Sequence, residues 1–169
     1  MKSIMPLYER AFDLNDYVLL ALIVIGFGLV YKLPKRFPRT VTLLLLLFCS
    51  TVASLPDNSL GGFSIDLYDI MDGPTYSIMD FIVYFFYPPY GYLFVYFYDR
   101  LQVKGFWNVL YITGCSLAAI ALEWVCVKVG IFQYKNGYFI NYSFCIYLAT
   151  QSMTLFFYRY ITYKLGETK

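Results

Sequence analysis

Long apolar runs, separated by shorter polar segments, dominate the chain. A membrane-spanning helix needs about 20 predominantly apolar residues, because each residue advances the helix by about 1.5 Å. The pattern predicts five spans, at residues 17–31, 41–55, 81–98, 106–127 and 142–158, with an extension of the last to 163 as an alternative. The first two runs have only 15 residues each, and the side chains of Lys32 and Arg39 beside them are long enough to snorkel to the interface. A re-entrant hairpin formed by these two runs is the alternative.

These runs predict an all-α fold, a polytopic membrane bundle of five transmembrane helices. Residues 17–163 form the bundle, residues 1–16 precede it as an interfacial or disordered segment, and residues 164–169 form a cytoplasmic tail. The composition agrees, because 60% of the residues are hydrophobic and 14% are charged, against about 25% charged residues in soluble domains. The lipid bilayer of the cell membrane is therefore the predicted partner. A membrane-protein partner or a homo-oligomer is a further expectation.

Several kinds of chemistry are excluded by composition. Histidine is absent, and the four cysteines show no Cys-x-x-Cys spacing. Without histidine the chain has no histidine-ligated zinc site and no Ser-His or Cys-His nucleophile pair. We interpret the cysteines as small packing residues, since all four lie in apolar runs. The net charge of +2 is too small to indicate a nucleic-acid partner, and the sequence predicts no cofactor and no metal.

The basic residues are distributed unevenly between the two predicted sides of the bundle. Nine of the 13 lysines and arginines lie in the loop at 32–39, in the loop after residue 98 and at the C-terminal end, all on one side. The long loop at 56–78, on the other side, has four aspartates and no basic residue. Because cytoplasmic loops carry the excess of basic residues, the N-terminus is predicted outside and the C-terminus inside. The long loop is expected to pack over the outer mouth of the bundle as a lid or an interfacial helix.

Glu123 is the single carboxylate inside a predicted span and the best pointer to a site. An ionised acid in hydrocarbon costs about 2.5–3.5 kcal/mol, so it needs a partner or a protonated form. Ser116, Ala119 and Cys126 share its helical face, and such a small, mildly polar face favours a helix interface. One hypothesis is structural, with Glu123 hydrogen-bonded to a tyrosine or threonine of another helix. The other places it in a ligand, ion or proton site.

The fifth span carries a polar stripe. Ser143, Tyr147, Thr150, Thr154 and Tyr158 recur at spacings of four, three, four and four residues, with Gln151 beside them. Residues at those spacings share one helical face, and in lipid a polar face must turn toward other helices or toward a cavity. Two roles fit this face: it forms hydrogen bonds with other helices, or it lines a hydrated path for a substrate.

The third span contains Pro88-Pro89 near its centre. Each proline removes a backbone hydrogen bond and clashes one turn back, which predicts a break or a bend of more than about 20° and freed carbonyl groups near Tyr84 and Phe85. Broken helices at mid-membrane often border binding sites. The third and fifth spans, together with Glu123, predict a polar pocket that opens to the outside and has no catalytic residue. Its predicted ligand-binding residues are Glu123, Asp80, Tyr84, Tyr87, Tyr147, Thr150 and Gln151.

An intramembrane Glu is followed by a tyrosine-rich turn with the order Asn-Gly-aromatic and then by another span. The residues of this pattern are Glu123, Gly130, Tyr134, Asn136-Gly137-Tyr138 and Tyr142-Ser143. The segment resembles a family of short, uncharacterised multi-helix membrane proteins of endospore-forming Gram-positive bacteria. The resemblance implies a bacterial multi-pass membrane protein, and it implies no activity, because the family has none assigned.

We expect a small integral membrane protein that acts as a binding or assembly component, such as a subunit, a sensor or a small carrier. The alternative is a membrane-embedded enzyme that acts on a lipid or isoprenoid substrate, with Glu123 as its acid. The two hypotheses predict different structures. An enzyme needs two or more titratable groups that converge in one cavity. An assembly protein should instead have an aromatic groove of lipid size and a Glu123 whose hydrogen bonds are satisfied.

Overall fold

The computed structural model describes residues 12–61, 65–71 and 78–166. In this part of the chain the elements are α1 Leu14–Lys32, α2 Arg39–Leu60, β1 Tyr68–Ile70, α3 Ile78–Ile82, α4 Tyr87–Arg100, α5 Trp107–Lys128, β2 Phe132–Tyr134 and α6 Ile140–Lys164. A 3-10 turn, Val83–Phe85, joins α3 to α4, so Ile78–Arg100 forms one interrupted helix of 23 residues. The fold is helical, as predicted, and it also contains a small sheet that was not predicted.

Four helices of the described chain are long and apolar enough to cross a membrane: α1, α2, the interrupted helix Ile78–Arg100 and α5. At most 39% of the apolar window of any of them is buried, so most of their apolar side chains face outward. Outward apolar surface on this scale is typical of helices that meet lipid. The fold is therefore consistent with a multi-pass membrane protein. α6 is the longest helix, with 25 residues, but it is not among the four, since polar residues recur along it.

The first two helices are longer than the apolar runs that predicted them. α1 has 19 residues and α2 has 22, lengths typical of full spans rather than of a re-entrant hairpin. α1 begins early because Asp13 caps it: the Asn15 N–H donates to Asp13 Oδ1 at 3.1 Å, and Asp16 completes the capping box. α2 ends late because it continues through Pro56. Of the predicted N-terminal segment 1–16, residues 1–11 lie outside the described residues, as do residues 167–169 of the predicted tail.

The third span is interrupted where the two prolines predict a break. α3 ends at Ile82, the 3-10 turn follows, and Pro88-Pro89 lie in the first turn of α4. Prolines are tolerated there because the first N–H groups of a helix have no partner within it. The freed Tyr84 carbonyl accepts a hydrogen bond from Ser50 Oγ of α2 at 3.4 Å. The predicted break is therefore confirmed, and the bend angle stays a prediction.

The bundle is built around α2, which packs against both α4 and α6, while α5 packs on α6 and α1 on α4. Gly91 allows α2 and α4 to approach closely, because a Cβ atom at this position would lie 2.5 Å from Cys49 Sγ. α5 and α6 are joined by a hydrogen bond from Ser116 Oγ to Gln151 Oε1 at 3.1 Å.

The polar stripe of α6 turns toward the other helices, as predicted. Three of its members, Ser143, Thr154 and Tyr158, are buried. Thr154 Oγ1 donates to the Thr150 carbonyl at 2.8 Å, so part of its polarity is satisfied within the helix. The inward direction of the stripe places the first half of α6 opposite the Glu123 face of α5.

The two loops at the N-terminal end of α6 form a small antiparallel ribbon. β1 pairs with β2, with Tyr68 opposite Tyr134. The pairing is extended by a hydrogen bond from the Met71 N–H to the Ile131 carbonyl at 2.9 Å. This ribbon packs against the same end of the bundle as the start of α1, and Leu19 belongs to the core that they share. The described part of the long loop therefore covers the bundle end as a strand, and not as the interfacial helix that was one of two expectations.

Candidate functional site

Glu123 lies near the end of α5 and is 7% exposed. Its Oε1 accepts hydrogen bonds from the Tyr134 hydroxyl and from Ser143 Oγ, both at 2.6 Å. The Tyr138 hydroxyl lies 2.9 Å from Ser143 Oγ and continues the network. The prediction that this carboxylate faces the bundle rather than lipid is confirmed. The hydroxyl groups around it come from β2, from the turn after it and from the first turn of α6.

A second carboxylate, Asp57, lies across from Glu123 on α2. Its Oδ1 accepts a hydrogen bond from the Tyr68 hydroxyl at 2.9 Å, and its Oδ2 accepts one from the Tyr87 hydroxyl at 2.5 Å. The two carboxylates are close enough for their charges to interact. Asp80 was predicted as the second acid among the ligand-binding residues, but the acid that lies across from Glu123 is Asp57, because α2 extends beyond Pro56.

The two carboxylates share a cavity of about 80 Å³, which we call the acidic pocket. Glu123 Oε2 accepts no hydrogen bond of normal geometry from the described residues, while the Tyr147 hydroxyl is near enough to interact with the carboxylate. The pocket therefore offers a buried acceptor to a ligand. Its walls are formed largely by five tyrosines: Tyr68, Tyr87, Tyr134, Tyr138 and Tyr147.

Among the described residues, no lysine or arginine lines the acidic pocket. Lys135, in the turn after β2, pairs with Asp69 and, at 3.7 Å, with Asp66. Lys128 Nζ lies 5.5 Å from the centre of the Trp124 ring. Within the described ranges, no three His, Cys, Asp or Glu side chains are placed together to hold a metal ion. Hydroxyl groups alone therefore face the two acids, and a cationic or hydrogen-bond-donating group is the chemical complement of the pocket.

Three tyrosines of the pocket lie outside the spanning helices and have raised pKa values. Burial, followed by the hydrogen bond to Glu123, raises the pKa of the Tyr134 hydroxyl. Burial, followed by the negative charge of Asp57, raises the pKa of Tyr68. Burial also raises the pKa of Tyr138. These hydroxyl groups therefore stay protonated near neutral pH, where they act as hydrogen-bond donors to the acids.

A larger cavity of about 360 Å³ adjoins the acidic pocket, and we call it the apolar cavity. It lies among α2, α4, α5 and α6 and is lined mainly by aromatic and aliphatic side chains and three cysteine thiols. Glu123 and Tyr147 line both cavities. Together the two cavities form one space with an acidic end and an apolar body.

Five of the seven predicted ligand-binding residues line this space. Glu123, Tyr87, Tyr147 and Thr150 line both cavities, and Gln151 lines the apolar one. Asp80 and Tyr84 line neither of them, and the Tyr84 hydroxyl lies 3.5 Å from Asn58 Nδ2. A 3-10 turn interrupts the helix between Asp80 and Tyr87, so a face drawn with regular helical spacing does not carry across it.

Among the acids and tyrosines of the pocket, four were not in the predicted ligand-binding set: Asp57, Tyr68, Tyr134 and Tyr138. Cys49, Ala53 and Asp57 recur every four residues, so a helix drawn through Pro56 would have placed Asp57 on the inward face. Tyr134 and Tyr138 belong to the segment that carries the family resemblance. Tyr68 had no signal of its own, because its position depends on the pairing of β1 with β2.

Comparison of the chain with protein-family models, with curated proteins and with solved structures gave no match. The geometry of the site is therefore the basis on which its function is argued.

Proposed function

We propose that the chain is a five-span membrane protein that binds a ligand in the acidic pocket. α6 serves as the fifth span, since its 25 residues exceed the required length of about 20 and its polar face turns into the bundle. With the N-terminus outside and the C-terminus inside, the pocket lies at the outer end, beneath the ribbon. The resemblance of segment 123–143 supports a bacterial cell membrane as the location.

The observation that carries the proposal is the convergence of Asp57 and Glu123 in one cavity that no lysine or arginine of the described residues lines. Hydroxyl groups donate to both oxygens of Asp57 and to Glu123, and the Tyr147 hydroxyl interacts with the Glu123 carboxylate as well. Two buried carboxylates without a counter-charge are costly. A ligand that brings a donor and a positive charge recovers that cost. An amine is the simplest such group.

Binding of n-butylamine, which is an ammonium ion at pH 7, tests the proposal. We expect it to raise the thermal unfolding midpoint of the protein in lipid nanodiscs, because a ligand that binds only the folded state stabilises it. Butyrate, with the same chain and the opposite charge, should have no effect. The rise should disappear in Glu123→Gln and persist in Asp66→Asn, which removes an exposed acid at the same end. Equal stabilisation of the wild type and of Glu123→Gln would contradict the proposal.

The convergence of two acids also favours a second function, a membrane-embedded enzyme acting on a lipid or isoprenoid substrate. In that function Glu123 and Asp57 supply the acid and the base that such an enzyme needs. Incubation of the reconstituted protein with a bacterial lipid extract, followed by mass spectrometry, separates the two functions. Turnover predicts a new lipid species that is absent with Asp57→Asn and Glu123→Gln. Binding alone predicts an unchanged lipid composition and a bound species that is lost from the variants.

A further inference from the structure

We propose that the ligand is a single-chain lipid amine whose ammonium group reaches the acidic pocket and whose hydrocarbon chain fills the apolar cavity. This inference rests on the proposed function and adds the class of the ligand. The two cavities adjoin, and six residues line both of them: Ala53, Tyr87, Glu123, Phe132, Tyr147 and Thr150. Because Glu123 is itself one of these shared residues, a head group bound at Glu123 places its chain at the apolar cavity.

The size and shape of the apolar cavity fit one chain. Its volume of about 360 Å³ lies within the range of about 300–1,000 Å³ that is usual for small-molecule sites. Its lining on α5 runs from Tyr111 to Cys126, a distance of roughly 22 Å at about 1.5 Å per residue. A cavity of this volume and this length has a small mean cross-section. It therefore has room for one hydrocarbon chain and not for the two chains of a phospholipid.

The polar groups around the apolar cavity are used within the protein. The Tyr111 hydroxyl donates to the Phe94 carbonyl at 2.6 Å, and the Tyr90 hydroxyl donates to the Leu22 carbonyl at 2.9 Å. Gln151 Oε1 accepts from Ser116 Oγ. The cavity body therefore offers little to a polar head, which orients an amphiphile with its head at Glu123.

The apolar cavity lies beside the bilayer rather than beside water. α4 and α5 follow each other in the chain, yet α5 packs on α6 and the cavity separates its outer half from α4. The ring of Tyr111 stacks on Phe94 where the two helices meet. Phe97 and Ala118, at the edge of the cavity, are exposed on the apolar surface of the bundle. The ribbon covers the outer end, so a lipid reaches the cavity from the side.

Charge selects the head group. The pocket has two carboxylates and, in the described part, no basic side chain, so it repels a fatty acid and attracts an amine. Five tyrosine rings surround the same space, and aromatic faces attract cations. An alcohol of equal chain length donates one hydrogen bond but brings no positive charge to the two carboxylates. Its binding should therefore be weaker than that of the amine.

A chain-length series with a matched pair of variants tests the inference. Binding of butyl-, octyl- and dodecylamine to the protein in nanodiscs is measured for the wild type, for Ala119→Phe and for Ala121→Phe. Ala119 lines the apolar cavity, whereas Ala121, two residues on, is exposed and lines neither cavity. Because all three proteins share one lipid, differences between them do not arise from partition of the amine into the bilayer. Dodecanol and dodecanoate serve as head-group controls.

In the wild type, affinity expressed in aqueous amine concentration should rise roughly fourfold for each CH₂ group until the chain reaches the end of the cavity. The ratio of dodecylamine affinity to butylamine affinity should be at least about tenfold lower in Ala119→Phe than in the wild type, since displacing two CH₂ groups already costs that much. Ala121→Phe should match the wild type. If Ala119→Phe does not fold, as judged by butylamine binding, Ala118→Phe takes its place.

Two results overturn the inference. In the first, Ala119→Phe binds dodecylamine as tightly as Ala121→Phe does, which leaves the proposed function intact if butylamine still binds. In the second, dodecanoate or dodecanol binds as tightly as dodecylamine, which shows that the head is not an amine. Failure of butylamine to stabilise the wild type, by contrast, counts against the proposed function itself.

Discussion

At the scale of single residues, the molecule holds two acids in a largely apolar bundle by surrounding them with hydroxyl groups. Placing an acid in a membrane helix costs about 2.5–3.5 kcal/mol, and a hydrogen bond to a charged group returns about 1.5–3 kcal/mol. Glu123 receives two such bonds at one oxygen, and Asp57 receives one at each. The hydrogen bonds therefore offset most of the cost of burial without an ion pair, which keeps the negative charge available to a ligand.

The first prediction separates the structural role of Glu123 from its charge. Glu123→Gln keeps the Oε1 acceptor for Tyr134 and Ser143, so its free energy of unfolding should stay within about 1 kcal/mol of the wild type. Glu123→Ala leaves both hydroxyls without that acceptor and should lose about 1–3 kcal/mol. Chemical denaturation in mixed micelles measures both. A Gln variant as unstable as the Ala variant would show that the charge itself holds the bundle together.

The second prediction concerns alkaline pH. Burial and the bond to Glu123 raise the pKa of Tyr134 above its usual value of 10.0, so its contribution to stability is fully present below about pH 10. It is lost as the pH rises toward the raised value, because the unfolded chain releases the proton first. Tyr134→Phe should therefore lower stability at pH 8 by about 0.5–1.5 kcal/mol and lose less stability between pH 10 and pH 11 than the wild type. Tyr142→Phe, at an exposed position, is the matched control and should follow the wild type at every pH.

At the scale of elements, prolines decide where the helices continue and where they break. Pro56 lies within α2, and the helix runs on for another turn to Leu60. Side chains satisfy the backbone there, with Ser59 Oγ donating to the Leu55 carbonyl at 2.7 Å. Pro88-Pro89 instead start α4 after the 3-10 turn. The continuation of α2 past Pro56 thus places Asp57 in the lining of the acidic pocket, and the 3-10 turn before the proline pair interrupts the regular spacing between Asp80 and Tyr87.

The third prediction tests the close contact between α2 and α4. Gly91→Ala should destabilise the protein by about 1–3 kcal/mol, because the added Cβ meets Cys49 at 2.5 Å and the helices must move apart. Gly114→Ala, in α5 with nothing within 4 Å of its added Cβ, should stabilise the protein by about 0.5–1 kcal/mol through helix propensity. Thermal unfolding of the two variants side by side is the measurement. Equal effects of the two substitutions would show that α2 and α4 do not pack as described.

At the scale of the whole molecule, the two ends of the bundle differ in whether their buried or half-buried acids have a basic partner. At the end opposite the acidic pocket, Asp99 forms an ion pair with Arg36 and accepts a hydrogen bond from the Tyr158 hydroxyl at 2.8 Å. These contacts join the loop between α1 and α2 to α4 and α6. The acid at this end has a basic partner, and the acids of the pocket have none among the described residues. The ion pair and the Tyr158 hydrogen bond join three segments at one end of the bundle, and the other end is the one at which we propose that a ligand binds.

The fourth prediction concerns orientation. Of the ten lysines and arginines among the described residues, eight lie at the end of the bundle that holds the Arg36–Asp99 pair, so this side should face the cytoplasm and the ribbon should face outward. An alkaline phosphatase fusion in the loop after Gly61 should be active, and a green fluorescent protein fused after Lys169 should fluoresce. Four spans instead of five would put both ends of the chain on one side. An inactive phosphatase fusion with a fluorescent C-terminal fusion would contradict the predicted orientation.

The sequence by itself determined the helical class of the fold, with helices apolar enough to cross a membrane, and the inward direction of Glu123. The length and apolarity of a run are properties of consecutive residues. The spacing of the polar stripe on α6 and the proline pair in the third span are also read from consecutive residues. A buried acid needs donors wherever it lies, so its inward direction also followed without a structure. The orientation and the fifth span, which depend on charge and length alone, stay predictions.

Tertiary structure alone decided which groups meet Glu123. Asp57 and Tyr68 are remote from it in the chain, and they reach it because α2 continues through Pro56 and because β1 pairs with β2. Asp80 and Tyr84, which share a face with Tyr87 in a regular helix, line neither cavity, and a 3-10 turn interrupts the helix between Asp80 and Tyr87. The apolar cavity likewise arises only where α5 leaves α4 to pack on α6. Such outcomes depend on packing between distant segments, which local periodicity does not encode.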